Sequence, residues 1–326
     1  MKRVQYAQRG PVPHELVEVV EFDAGKPGEN QVLIEVLAAP INPSDVLTLT
    51  GEYGALPPLP AIGGNEGVGR ISAVGPGAEA WTNGEIVLLP VGCGSWSTHV
   101  MADASKLVAL PTRADPVQLS MLSINPPTAA LLLSDFVDLQ PGEWVIQNAA
   151  NSAVGGYLVQ LARKRGFHTV NIVRRQEATA AVQQDGGDVV LVDGPDLPAQ
   201  VREATGGAKL RLAIDAVGGE ATERLARCLG EGGTLVNYGA MSGQPCQLAP
   251  ASFVFRDLTL RGFWLARWFR QATPQQQYTL FRELAQAIES GDLHARVHAT
   301  FGIDQIREAL QLAAAGERDG KILLTP

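Results

Sequence analysis

Apolar positions along this chain keep two different rhythms, and the change of rhythm divides it into parts. Up to about residue 119 they come in short β-type runs broken by Gly and Pro, at 17–20, 31–38, 69–74, 85–90 and 107–110. Runs of that length between turn residues predict a small, mainly antiparallel β domain. From 120 to 265, β-type runs at 144–146, 169–173, 189–192, 210–216, 234–238 and 258–263 alternate with helical periodicity. That alternation predicts a doubly wound parallel sheet. Further on, Thr273 and Pro274 read as N-cap and first-turn proline of a helix that Gly291 closes. A second helix over 304–315 and a last strand over 321–324 follow. Residues 266–326 are therefore expected to complete the β domain begun by 1–119, with the sheet of 120–265 inserted between them. The fold class is α/β.

The sharpest local pattern runs from 144 to 175. The β-type run at 144–146 enters a turn of small residues, Asn148-Ala149-Ala150-Asn151-Ser152. A helical pattern leaves the turn with Val154, Leu158, Leu161 and Ala162 on one face and Gly166 as the stop. The next run, 169–173, ends in Arg174 and Arg175. Strand, tight turn, helix and strand in that order open a dinucleotide-binding fold. A pyrophosphate rests there on the helix N-terminus, where free N–H groups and the helix dipole favour anions. An acidic residue about 20 positions past the fingerprint would bind the ribose hydroxyl of NAD. Arg174 and Arg175 stand there instead, and guanidinium forks suit a 2′-phosphate, which predicts NADPH. The fingerprint is incomplete, because a G-x-G-x-x-G ending at Gly155 would need glycines where Ala150 and Ser152 stand. Both are small, and Asn151 and Ser152 carry groups able to donate to phosphate oxygens. An ordinary βαβ turn serving another ligand has the same local pattern.

Composition narrows the classes. A chain of 326 residues suits two domains, and 45% hydrophobic with 18% charged residues is ordinary for a folded, soluble protein. The net charge of −8 argues against nucleic-acid and anionic-membrane partners. No apolar run reaches spanning length, and Met1-Lys2-Arg3 leads into polar residues without the apolar core of a signal peptide. Cys93, Cys228 and Cys246 are too few and too far apart for a disulfide framework or a zinc knuckle. A reducing compartment follows, and the cytoplasm is the expected location. The histidines, at 14, 99, 168, 294 and 298, do not cluster in sequence.

The order of β domain, inserted sheet and C-terminal return resembles the medium-chain dehydrogenase/reductase superfamily. Asn42-Pro43-Ser44-Asp45, Gly51-Glu52-Tyr53-Gly54 and Gly63-Gly64-Asn65-Glu66-Gly67-Val68-Gly69 resemble its zinc-free branch. The segments 147–155, 232–241 and 260–265 are similar to mitochondrial-type trans-2-enoyl-thioester reductases, and the likeness covers almost the whole chain. The resemblance implies a Rossmann sheet inserted into a GroES-like domain, and a homodimer joined through the edge strand near 258–264. Zinc members carry Cys where Asn42 stands and His where Asn65 stands. Carboxamide oxygens replace thiolate and imidazole poorly at a tetrahedral zinc, so a metal-free protein is expected. By the same resemblance NADPH is contacted by Asn125, Asn151, Ser152, Ala153, Val154, Arg174, Arg175, Tyr238, Gly239, Ala240, Met241, Phe263, Trp264, Leu265 and Lys321. One position departs, since the family often has a further arginine where Gln176 stands.

An alcohol or aldehyde reaction without a metal would lack its Lewis acid, whereas an activated carbon–carbon double bond is reduced without one. The resemblance therefore implies an enoyl thioester substrate, carried by coenzyme A or by acyl carrier protein. Hydride would add at Cβ and the resulting enolate would be protonated at Cα. Tyr53 matches the family's catalytic tyrosine, and a phenol can hydrogen-bond the enolate oxygen or supply the proton. A loop tyrosine packed as an aromatic lid has the same sequence. Trp264 is placed as a residue orienting the substrate, with plain packing as its alternative. An NADPH:quinone or general enone reductase needs the same cofactor site, and an NADPH-binding protein without turnover is the remaining reading.

Overall fold

Short apolar runs separated by turn residues fold into the first sheets. β1 (Lys2–Tyr6) and β2 (Val17–Glu21) pair antiparallel. β3 (Gln31–Ile41) is buried along most of its length and leads into helix α1 (Pro43–Thr50). β4 (Ala61–Ile62) closes a three-stranded sheet against β1. β5 (Val68–Val74) and β7 (His99–Asp103) both pair antiparallel with β3, while β6 (Ile86–Leu88) and β8 (Val108–Ala109) extend the sheet beyond β5. Helix α2 (Pro116–Leu119) starts with Asp115 as N-cap.

The computed structural model describes residues 1–316 and 318–326, and the chain divides into two units, Met1–Ile124 with Pro274–Pro326, and Asn125–Thr273. The second unit opens with α3 (Asn125–Leu132), buried on every residue. Its strands are β9 (Trp144–Gln147), β10 (His168–Val173), β11 (Val189–Val192), β12 (Leu212–Asp215), β13 (Thr234–Asn237) and β14 (Thr259–Gly262). They form one parallel sheet in the order β11-β10-β9-β12-β13-β14. All six runs read as strands in the sequence take their places in it. The inner strands are nearly continuous in buried residues, as expected where helices cover both faces. The covering and connecting helices are α4 (Ala153–Lys164), α5 (Thr179–Gln184), α6 (Leu197–Ala204), α7 (Glu220–Cys228), α8 (Pro250–Val254) and α9 (Leu265–Gln271). The strand order reverses between β9 and β12, which makes the carboxyl end of β9 the topological switch point where open α/β sheets bind ligands.

The chain then returns to the first unit. α10 (Pro274–Glu289) ends before Gly291, whose φ of 80° takes the left-handed turn out of the helix. β15 (Val297–Phe301), α11 (Ile306–Ala315) and β16 (Lys321–Leu324) follow. β16 pairs antiparallel with β3 and parallel with β15, so the C-terminal strand joins the sheet begun by the N-terminal residues. Ile34, Ile41, Leu310 and Leu324 share one core there. The fold class read from the sequence, a Rossmann sheet inserted into a GroES-like β domain, is the observed one.

Candidate active site

The turn after β9 is fastened to both of its neighbours. The Asn148 N–H donates to Ile214 O of β12 at 3.1 Å, and the Ala150 N–H donates to Ile172 O of β10 at 3.2 Å. Ser152 is the N-cap of α4, its hydroxyl accepting from the Gly155 N–H at 3.1 Å. A Cβ at Gly155 would lie 2.4 Å from Ala150 O, so the one fingerprint position that keeps its glycine is the one where helix and turn touch. Ala149 turns the chain with a φ of 48°, where a fully glycine turn would relax. Asn151 to Val154 are half-buried at the α4 N-terminus, an end with free N–H groups and a favourable dipole for phosphate. Arg174 and Arg175 leave the end of β10 exposed, ahead of a 3₁₀ turn that begins at Gln176. The donor set fits a phosphorylated dinucleotide.

Other expected cofactor residues gather at the same sheet end. The Tyr238 N–H donates to Asp215 O at 2.9 Å, and the Met241 N–H to Ala216 O at 3.0 Å. Burial pushes the Tyr238 phenol above its ordinary range, while a hydrogen bond with Ser152 works against the shift. Gly239 is half-buried, and Ala240 and Met241 are exposed in this loop. The Phe263 N–H donates to Asn237 O at 2.9 Å, and its ring meets Phe136 edge-on with centroids 5.9 Å apart. Trp264, half-buried at the N-cap of α9, lies under the Arg270 guanidinium, 4.8 Å from the ring centroid, and Leu265 opens the helix. Asn125 is buried as the first residue of α3.

A buried carboxylate binds these strand ends together. Asp215, fully buried, accepts from Asn148 Nδ2 at 2.6 Å, Thr222 Oγ1 at 2.7 Å, Asn237 Nδ2 at 3.2 Å and the N–H groups of Val217 and Gly218. Asn148 Oδ1 in turn accepts from the Ala216 N–H at 2.7 Å. The ends of β9, β12 and β13 are thereby cross-linked, which holds the switch point in one shape. The signal in the sequence was a polar residue at the end of each of three apolar runs.

Tyr53 and Lys321 belong to the first unit. Leu47 O, near the end of α1, accepts the N–H groups of Gly51 at 3.0 Å, Glu52 at 2.9 Å and Tyr53 at 3.2 Å. The helix end thus sets where the half-buried tyrosine starts. At the other end of α1, Asn42 is the N-cap, and its N–H donates to Asp45 Oδ2 at 2.7 Å. Asn42 Nδ2 donates to Glu66 Oε1 at 2.6 Å, and Lys321 Nζ donates to Asn42 Oδ1 and to Ile41 O. Asn65 Nδ2 donates to Asp45 Oδ1 at 2.7 Å. Burial pushes Glu66 up and Lys321 down, each opposed by the other's charge, and burial raises Asp45 to about 6. The network escaped sequence reading because Glu66 stands in a glycine run and Lys321 opens an apolar strand. Neither follows an amphipathic rhythm.

Zinc does not fit this place. The carboxamide oxygen at Asn42 already accepts from an ammonium, so a second cation would meet a charge of its own sign. Among the described residues no group of three or more His, Cys, Asp or Glu side chains could hold a metal ion.

Comparison with known proteins agrees with this architecture. Residues 28–112 match the alcohol dehydrogenase GroES-like domain, and 153–285 match a family described as zinc-binding dehydrogenase. The mitochondrial enoyl-acyl-carrier-protein reductase of Bos taurus is 34% identical, covering 100% of this chain and 88% of its own length. That of Arabidopsis thaliana is 37% identical over 82% of this chain and 72% of its own. The structure of an Etr1p complex with NADP and crotonyl-CoA superposes with a TM-score of 0.88 at 26% identity, covering 100% and 99% of the two chains. The Escherichia coli quinone oxidoreductase with NADPH gives 0.87 at 26%, covering both chains fully. The expectation of a cytoplasmic protein is overturned by these relatives, which are named as mitochondrial. Scattered cysteines indicate a reducing compartment and do not say which one. By identity, coverage and fold, the chain belongs to the enoyl-acyl-carrier-protein reductase family of the medium-chain dehydrogenase/reductase superfamily.

Proposed function

We propose that this chain is an NADPH-dependent oxidoreductase that reduces the 2,3 double bond of trans-2-enoyl thioesters. The observation that carries the reading is the anion-binding turn at Ser152–Gly155 with Arg174 and Arg175 at the end of the next strand. The family of reductases to which the chain belongs supports it. NADPH, when bound, supplies hydride to Cβ of the thioester. The α4 N-terminus receives the pyrophosphate, and Arg174 and Arg175 receive the 2′-phosphate. Asn125, Asn151–Val154, Tyr238–Met241, Phe263–Leu265 and Lys321 are assigned to the rest of the cofactor, and Trp264 also to orienting the acyl group. The Tyr53 hydroxyl is assigned to hydrogen-bond the thioester oxygen as negative charge develops and to deliver the proton to Cα. Mitochondrial relatives support a mitochondrial setting.

The similarity to the E. coli quinone oxidoreductase with NADPH supports one alternative, a quinone substrate. Steady-state NADPH oxidation with crotonyl-CoA, a long-chain enoyl-CoA, an enoyl-acyl carrier protein and a quinone separates the readings. Thioester turnover exceeding quinone turnover in kcat/KM by at least about 10²-fold, or roughly 3 kcal/mol, supports the proposal. Quinone turnover exceeding all three thioesters would replace it, and preference between the two carriers decides which delivers the acyl group.

We also propose a homodimer. β14 lies at the edge of the parallel sheet and is exposed along its whole length. Phe253, Val254 and Phe255, just before it, are 41%, 71% and 79% exposed. An uncovered edge beside exposed apolar side chains favours pairing with a second copy.

A further inference from the structure

Helix α1 is short, and both of its ends are tied. Its eight residues span about 12 Å. At the far end, three N–H groups converge on Leu47 O and fix the start of the Tyr53 loop. At the near end the anchor is a chain of polar contacts, buried from Lys321 to Asn42 and from Asn42 to Glu66 and Asp45, and part-buried from Asn65 to Asp45. Lys321 reaches this end from β16, a strand of the C-terminal segment. It brings the positive charge that two buried carboxylates need, in a setting where an uncompensated charge is costly. The same ammonium also donates to Ile41 O, the last residue of β3, so strand end and helix start are held by one group.

We propose that Lys321 is a positioning residue for the reaction: by closing the buried network with Asn42, Asp45, Asn65 and Glu66 it fixes the N-terminus of α1 and, through that helix, the place of Tyr53. The inference rests on the assignment of Tyr53 as proton donor. Displacing a reacting group by about 1 Å costs on the order of 10²-fold in rate, so a small shift of α1 is enough to be read. Because Lys321 is also assigned to the cofactor, NADPH affinity does not separate the two roles, whereas dependence of the kcat loss on Tyr53 does.

A double-mutant cycle tests this with the full-length enzyme, crotonyl-CoA and NADPH. Tyr53→Phe alone should lower kcat by roughly 10²–10⁴. Lys321→Met alone should lower kcat, measured at saturating NADPH, by at least about tenfold. In the Tyr53→Phe background, Lys321→Met should change kcat by less than about threefold, because the group it positions is already gone. Equal losses in both backgrounds would overturn the proposal, as would a raised Kd for NADPH with kcat unchanged. An inert Tyr53→Phe would instead overturn the assignment of the tyrosine, and the positioning role with it. Should Lys321→Met fail to fold, Asn65→Ala at the half-buried edge of the network goes through the same cycle. Its kcat loss should vanish when Tyr53 is Phe, and an additive loss, or none, would overturn the proposal.

Discussion

Arg174 and Arg175 stand exposed where a dinucleotide fold that uses NAD would place a carboxylate, and they are the residues most directly answerable to experiment. Replacing both with Ala should weaken NADPH at least about tenfold and leave NADH within about threefold, since only NADPH carries the phosphate they would face. Fluorescence titration of the two cofactors measures this, and equal weakening of both would remove the arginines from the cofactor site. These two residues were legible because strand and turn signals located them without any neighbour being known. Asp215, Glu66 and Lys321 were not legible in the same way. Each is a charged residue embedded in an apolar or glycine-rich stretch, and its partners come from segments distant in sequence. Local rhythm carries no trace of such pairing.

At the scale of an element, α1 makes a prediction about pH. Burial raises Asp45 to about 6, against 3.8 for an ordinary aspartate, although the Asn42 N–H, Lys321 and Asn65 all favour its charged form. Between pH 4 and 6 the folded chain therefore holds this proton more tightly than the unfolded chain does. Stability supplied by the site falls as pH rises through that window, by up to roughly 3 kcal/mol. Urea unfolding of wild type and Asp45→Asn at pH 4 and pH 7 should show wild type losing ground to the variant at the higher pH. A difference that grows in favour of wild type as pH rises would mean the carboxylate is stabilised by its partners more than it is penalised by burial. Asn42-Pro43-Ser44-Asp45 enters the sequence reading only as a family likeness, although its proline and capping carboxylate are legible as a helix beginning. The reach of that capping group into a buried network is not.

Across the whole molecule, the parallel sheet was legible because its inner strands are apolar on both faces, and the β domain because its runs are short and bounded by Gly and Pro. β1 and β15 were harder, with Lys2, Arg3 and Gln5 in one and His298 and Thr300 in the other breaking the apolar pattern. The exposed β14 edge carries a prediction of its own: light scattering should give twice the chain mass, and Val254→Asp with Phe255→Asp should shift it toward the monomer. A monomeric wild type would leave that edge to another partner. The central claim concerns where the hydride goes, and isotope labelling tests it most directly. Crotonyl-CoA and NADPH deuterated at the transferring position should yield butyryl-CoA with one deuterium at Cβ and a solvent proton at Cα, one product formed per NADPH consumed. NADPH consumed without butyryl-CoA, or product lacking deuterium at Cβ, would contradict the account.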